Sequence, residues 1–223
     1  PWLFALVLVS GAIITSASAL NDCMVDRTRV AQGFAPPDPT PYVNSKLTET
    51  ATSINSIHWV NGVADYQYSN TDQDFINHIN GLYSSNNIVL THTHGGSSGG
   101  SSFMTFLDGY SDLYDSDVNN WLDSGGYFIF AGACKSAQYS DLGNSFLNKG
   151  FDGYLGFEGD VSSVTCSCFY SAFFERGRYL DVTVSNAATY ALQTTLNEWD
   201  DYGGTDSKEI LGSQYLCLAP SDW

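Results

Sequence analysis

Short, wholly apolar runs alternate with segments of helical period through the middle of the chain. Residues 127–130, Tyr-Phe-Ile-Phe, follow Gly125-Gly126 and lead through Ala131, Gly132 and Ala133 to a single cysteine, Cys134. An apolar run bounded by small residues reads as a strand buried on both faces, the kind found in parallel sheets covered by helices. Residues 88–90 form a second such run, which ends in His92 and His94. Residues 151–157 predict a third strand, residues 210–218 a last one, and residues 54–68 one or two more. Helices are predicted at 72–83, with Phe75, Ile76, Ile79 and Leu82 on one face and Thr71 or Asp72 as cap, and at 115–122, 142–147 and 168–176. A further helix at 185–199 carries Ala188, Ala191, Leu192, Leu196 and Trp199 on one face, with Ser185 as cap. Residues 95–102, rich in glycine and serine, read as a flexible loop, 103–107 as a short extension, and the proline-rich stretch 36–41 as an extended linker. Strand–helix alternation of this kind implies an α/β fold with a mainly parallel sheet.

Composition narrows the function classes. The 223 residues hold 8 Lys+Arg against 24 Asp+Glu, a net charge of −16, which excludes nucleic acid and anionic membrane surfaces as natural partners. A 43% hydrophobic content fills a large core. The first fourteen residues are almost wholly apolar and Ala17-Ser18-Ala19 follows, so residues 1–19 read as a signal peptide lacking its charged leader. The expectation is therefore a secreted protein, free of the membrane once the signal is cleaved. Residues 20–50 read as an extension or linker, possible pro-segment included, and residues 51–223 as the main domain.

Secretion makes the five cysteines informative. An odd thiol in an exported chain points to a free reactive group, and Cys134 is the candidate. Cys23, Cys166, Cys168 and Cys217 then remain for two disulfides that tie both chain ends to the 166–168 segment, or some of them are buried thiols that pack like small hydrophobes.

His94 and Cys134 each end a buried run, and an imidazole within reach of a thiol supplies a nucleophile and its general acid–base partner. Gly95 frees a backbone N–H, which with that of Cys134 makes an oxyanion hole. A strand ending in His94-Gly95 followed by one ending in Ala133-Cys134 resembles the two catalytic blocks of the caspase-like superfamily of cysteine peptidases, which includes caspases, legumains, clostripain and gingipains. The caspase form of the second block has glutamine where Gly132 stands here. The segment 141–157, a short helix and then a glycine-rich strand, is more similar to gingipain-like members. The resemblance covers roughly residues 54–192. It implies a three-layer sandwich with helices on both faces of the sheet and cysteine endopeptidase activity on protein or peptide substrates, with no metal or organic cofactor. It also implies selection by the residue before the scissile bond, for which Glu158 and Asp160 are candidate pocket acids, and maturation from a precursor, with Arg27 or Arg29 as a processing point. Lys135 is a candidate to lower the thiol pKa.

Two alternatives stand beside this reading. His92-Thr93-His94 has the His-x-His spacing of metallohydrolases and resembles the opening of the metallo-β-lactamase motif, but the Asp and second His that continue that motif are replaced by Gly95-Gly96-Ser97. A noncatalytic secreted domain of the same fold is the other.

Overall fold

A computed structural model describes residues 21–223. The predicted signal peptide, residues 1–19, lies outside the described residues. In chain order the elements are β1 (Cys23–Asp26), α1 (Thr28–Gln32), α2 (Thr40–Asn55), β2 (Val63–Tyr66), α3 (Asp72–Asn80), β3 (Ile88–His92), β4 (His94–Ser98), β5 (Ser101–Thr105), β6 (Asp112–Leu113), α4 (Asp115–Trp121), β7 (Phe128–Gly132), α5 (Asp141–Asn148), β8 (Gly153–Phe157), α6 (Ser163–Gly177), α7 (Val184–Trp199) and β9 (Lys208–Gly212). Six strands form one sheet in the order β2-β1-β3-β7-β8-β9, parallel throughout except for β9. The strands β4, β5 and β6 form a small antiparallel sheet beside it.

Alternation within the strands builds two cores. Phe128 and Phe130 of β7 face α2, α6 and α7, where they meet Phe169, Tyr170, Phe173 and Phe174. Ile129 and Ala131 point the other way, to Phe75 of α3, Val118 of α4 and Phe146 of α5. Burial of each such large side chain contributes roughly 1.5–3 kcal/mol, so a strand apolar on both faces is what this three-layer arrangement requires. The α/β fold with a mainly parallel sheet follows as the sequence implies.

Several local expectations change. The fold does not begin at residue 51: β1 lies inside the sheet, between β2 and β3. The proline-rich stretch is brief, because Pro41 falls in the first turn of α2, where its missing N–H costs nothing. Residues 54 and 55 end α2, which leaves a single strand, β2, in the 54–68 region. The glycine-serine segment is a hairpin, β4–β5, turned at Gly99-Gly100, whose φ values of +62° and +92° suit residues without a β-carbon. The cap of α7 is Thr183, not Ser185, and its buried face is Val184, Ala187, Ala188, Ala191 and Thr195, while Trp199 is 41% exposed.

All five cysteines are free thiols, which overturns the expected pair of bridges. Cys23 opens β1 at the level of Ile88 and Phe128, whereas Cys166 packs against Gly132 at the far end of β7. Four residues of strand separate those levels by about 13 Å, beyond disulfide reach. Cys168 instead donates to Glu198 Oε2 at 3.3 Å.

Candidate active site

The carboxyl ends of parallel strands form the edge at which an α/β sheet holds ligands. On this edge β3 and β7 are neighbours in register, with His92 opposite Gly132. Two residues beyond these partners stand His94 and Cys134. The two blocks approach each other closely at Gly95. A β-carbon there would lie 2.6 Å from the Cys134 carbonyl oxygen, 2.8 Å from Ala133 Cβ and 2.9 Å from the Phe103 carbonyl oxygen, so the position admits glycine alone without backbone movement.

Cys134 occupies a tight turn. The next residue, Lys135, has φ +55°, a left-handed conformation that costs a side-chain-bearing residue roughly 1–2 kcal/mol. Surrounding contacts hold the turn in place. Ser136 Oγ lies 2.9 Å from both the Ala131 and the Ala133 carbonyl oxygens and accepts the Phe157 N–H at 3.1 Å. Tyr154 donates its hydroxyl to the Ser136 carbonyl at 2.7 Å, and the Lys135 N–H reaches the Gly159 carbonyl at 2.9 Å. The half-buried thiol of Cys134 sits against Val161, accepting its N–H at 3.3 Å and facing its carbonyl at 3.4 Å. Among the described residues no protein acceptor pairs with the Cys134 backbone N–H.

His94 opens β4 and is open to solvent. Partial desolvation and then the nearby Arg29 guanidinium hold its pKa below the usual imidazole value. Its neighbour two residues back is different in kind. His92 is buried, with Nδ1 3.4 Å from the Tyr170 hydroxyl, and burial, Arg29 and His94 together push its pKa down to about 3. The chain leaves the main sheet between them, so the rule that alternate strand residues share a face does not carry across Thr93. Among the described residues no group of three or more His, Cys, Asp or Glu is placed to hold a metal ion.

The candidate pocket acids lie on the loop after β8, next to the Cys134 turn. Glu158 is exposed. Asp160 is engaged by Lys135, with Nζ 3.5 Å from Oδ1, which also gives Lys135 a partner other than the thiol. Arg27 is no accessible processing point: it is 6% exposed and paired with Asp65 at 2.5 Å.

Two further residues stand at the site that the sequence does not assign to it. Arg29 of α1 lies within electrostatic reach of Cys134, His92 and His94, stacked 4.1 Å over the Phe34 ring and bonded to Ser163 Oγ at 3.0 Å. Burial lowers its pKa. Gln32, at the end of the same helix, contacts the His94 backbone. Their only hint in the sequence is their position just after a strand, and that strand was itself hidden.

The fold is the caspase-like one, a mainly parallel sheet covered by helices on both faces. The chain is similar to gingipain R, an Arg-specific cysteine proteinase, with a TM-score of 0.61 at 13% identity over 89% of this chain and 48% of that one. It thus spans about half of the gingipain chain it matches. Similarity extends to the Drosophila initiator caspase Dronc, with a TM-score of 0.50 at 13% identity over 92% of this chain and 85% of that one. At such identities the likeness is one of fold. The chain matches no protein-family profile. It is 54% identical over 187 residues to an uncharacterized protein of Archaeoglobus fulgidus, covering 82% of this chain and 96% of that one, and it belongs to that protein's family.

Proposed function

We propose that the chain is a cysteine endopeptidase with Cys134 as nucleophile and His94 as general acid and base. The observation that carries this reading is the closeness of Gly95 to Cys134, which joins a histidine-bearing corner to a thiol-bearing turn at the ligand edge of the sheet. Cys134 passes its thiol proton to His94, and the thiolate attacks a peptide carbonyl carbon to form a tetrahedral adduct, its oxyanion received by the backbone N–H groups of Cys134 and Gly95. Collapse to a thioester breaks the peptide bond, and the departing amine takes a proton from His94. A water molecule, deprotonated by His94, then hydrolyses the thioester and frees the thiol. These steps need no metal or organic cofactor. The strained turn at Lys135 fits a nucleophile that must be presented rather than buried.

Glu158 is the acid we assign to selection of a basic residue before the scissile bond, since the Asp160 carboxylate is held by Lys135. Export from the cell is part of the proposal and rests on the apolar start of the sequence. The described residues include no helix long and apolar enough to cross a membrane.

The test is hydrolysis of a fluorogenic peptide panel by the full chain, by Cys134→Ala and by His94→Ala. Cleavage by the wild type, lost in both variants, supports the reading. Equal cleavage by wild type and Cys134→Ala, or none by any form, refutes it. A rise of about tenfold in KM toward Arg and Lys substrates in Glu158→Gln, with kcat kept, supports the pocket assignment.

A further inference from the structure

Peptidase histidines are commonly steadied by a third side chain, yet among the described residues no group is hydrogen-bonded to the His94 ring. What holds His94 is its main chain. Thr93 follows the last residue of β3 and stays tied to the large sheet, donating its N–H to the Gly132 carbonyl at 3.2 Å. His94 opens the small sheet opposite Thr105. The chain changes sheets between these two residues, and the side chain of Gln32 sits at that joint. Its Oε1 accepts the His94 N–H at 3.2 Å. Its Nε2, with two N–H donors, lies within hydrogen-bond reach of three acceptors, Thr93 Oγ1 at 3.2 Å, the Thr105 carbonyl at 3.0 Å and the Phe106 carbonyl at 3.2 Å. Thr93 Oγ1 closes the set with a bond to the Thr105 carbonyl.

Gln32 is itself anchored. It ends α1, whose start is tied to the fully buried Asp26 at the end of β1. Asp26 accepts the Thr28 N–H at 2.9 Å and the hydroxyls of Thr28 and Ser69, and the Ser69 N–H returns to Thr28 Oγ1 at 2.8 Å. One amide side chain therefore links the strand β1, through α1, to both sheets at the residue next to Gly95.

We infer that Gln32 is the positioning residue of the site, fixing His94 through its backbone where a third side chain is missing. The inference rests on the peptidase reading. A glutamine suits the task because one acceptor must face the His94 N–H while donors face two carbonyls and a hydroxyl, a demand that neither glutamate nor methionine meets in full.

The test uses the full chain with Gln32→Met, which keeps length and loses every hydrogen bond, and Gln32→Glu, which keeps the acceptor alone. Gln32→Met is expected to lower kcat by about 10- to 100-fold with KM within about twofold, because small misplacement of a catalytic group is enough for such losses. Exchange of the His94 backbone amide with deuterium, read by NMR, should quicken at least about tenfold in Gln32→Met and stay near wild type in Gln32→Glu, whose activity falls less. Wild-type kcat in Gln32→Met, or unchanged exchange of that amide, overturns the inference. Should the wild type cleave no peptide, the peptidase reading has failed, and the exchange rate alone still decides whether Gln32 fixes His94.

Discussion

Gly95 approaches Cys134 so closely that a β-carbon on it would stand 2.6 Å from the Cys134 carbonyl oxygen. Gly95→Ala therefore forces the corner away from the turn. Peptide hydrolysis is expected to fall by about 100-fold, and stability by roughly 1–3 kcal/mol as in other overpacked sites. Kinetics and a thermal melt of the variant check both. Wild-type turnover in Gly95→Ala would show that the contact does not shape the site.

The cysteines separate by burial. Cys23 and Cys166 are fully buried and burial pushes both thiols far up, while Cys134 and Cys217 are part-exposed. Burial and the neighbouring Asp181 and Asp222 also raise the Cys217 thiol. Iodoacetamide on the native chain is expected to label Cys134 first, Cys217 more slowly, and neither Cys23 nor Cys166 within the same time. Peptide mapping without reduction should find no disulfide among residues 21–223.

Stability should fall on acidification through His92. Its folded pKa, about 3, lies below the ordinary imidazole value of 6.5. The unfolded chain thus binds a proton that the folded chain refuses, and the contribution present above about pH 6.5 is lost as pH falls from there toward 3. Asp26 acts with opposite sign: burial raises its pKa, so its contribution is full at low pH and is lost as pH rises through the raised value. Comparison of His92→Phe with wild type isolates the first effect. The fall in Tm between pH 7 and pH 4.5 should be smaller in the variant, and an equal fall would contradict the assignment.

Lys135 offers a test of backbone strain. Lys135→Gly removes the cost of φ +55° and also an exposed ion pair with Asp160, worth about 0–1 kcal/mol. The expected balance is a stability equal to or up to about 1 kcal/mol above wild type. Asp160→Asn, which breaks the pair alone, should change stability by no more than about 1 kcal/mol. Denaturant titration of the two variants reads this directly.

What the sequence disclosed follows from how each element is built. The strands β3 and β7 are buried on both faces, so their apolar runs mark them, and His94 and Cys134 were found from the residues that follow. The strand β1 escaped because it is four residues long, preceded by the buried Asp22 and closed by the buried Asp26, a pattern that reads as a polar segment. The hairpin β4–β5 escaped because glycine and serine carry little strand signal, though its pairing comes from backbone bonds that need none. Gln32 and His94 meet across 62 positions of sequence, a contact that no local pattern encodes. The disulfide expectation came from counting cysteines in a chain read as secreted, and counting holds no information on distance.

The most direct test of the central claim is intact-mass spectrometry of the full chain, acid-quenched during the first turnovers of a peptide substrate. The predicted result is an acyl adduct that digestion places on Cys134, absent from Cys134→Ala, whose cleavage should be slower by at least about 10⁴-fold. An adduct on another residue, or wild-type cleavage by Cys134→Ala, would contradict the account.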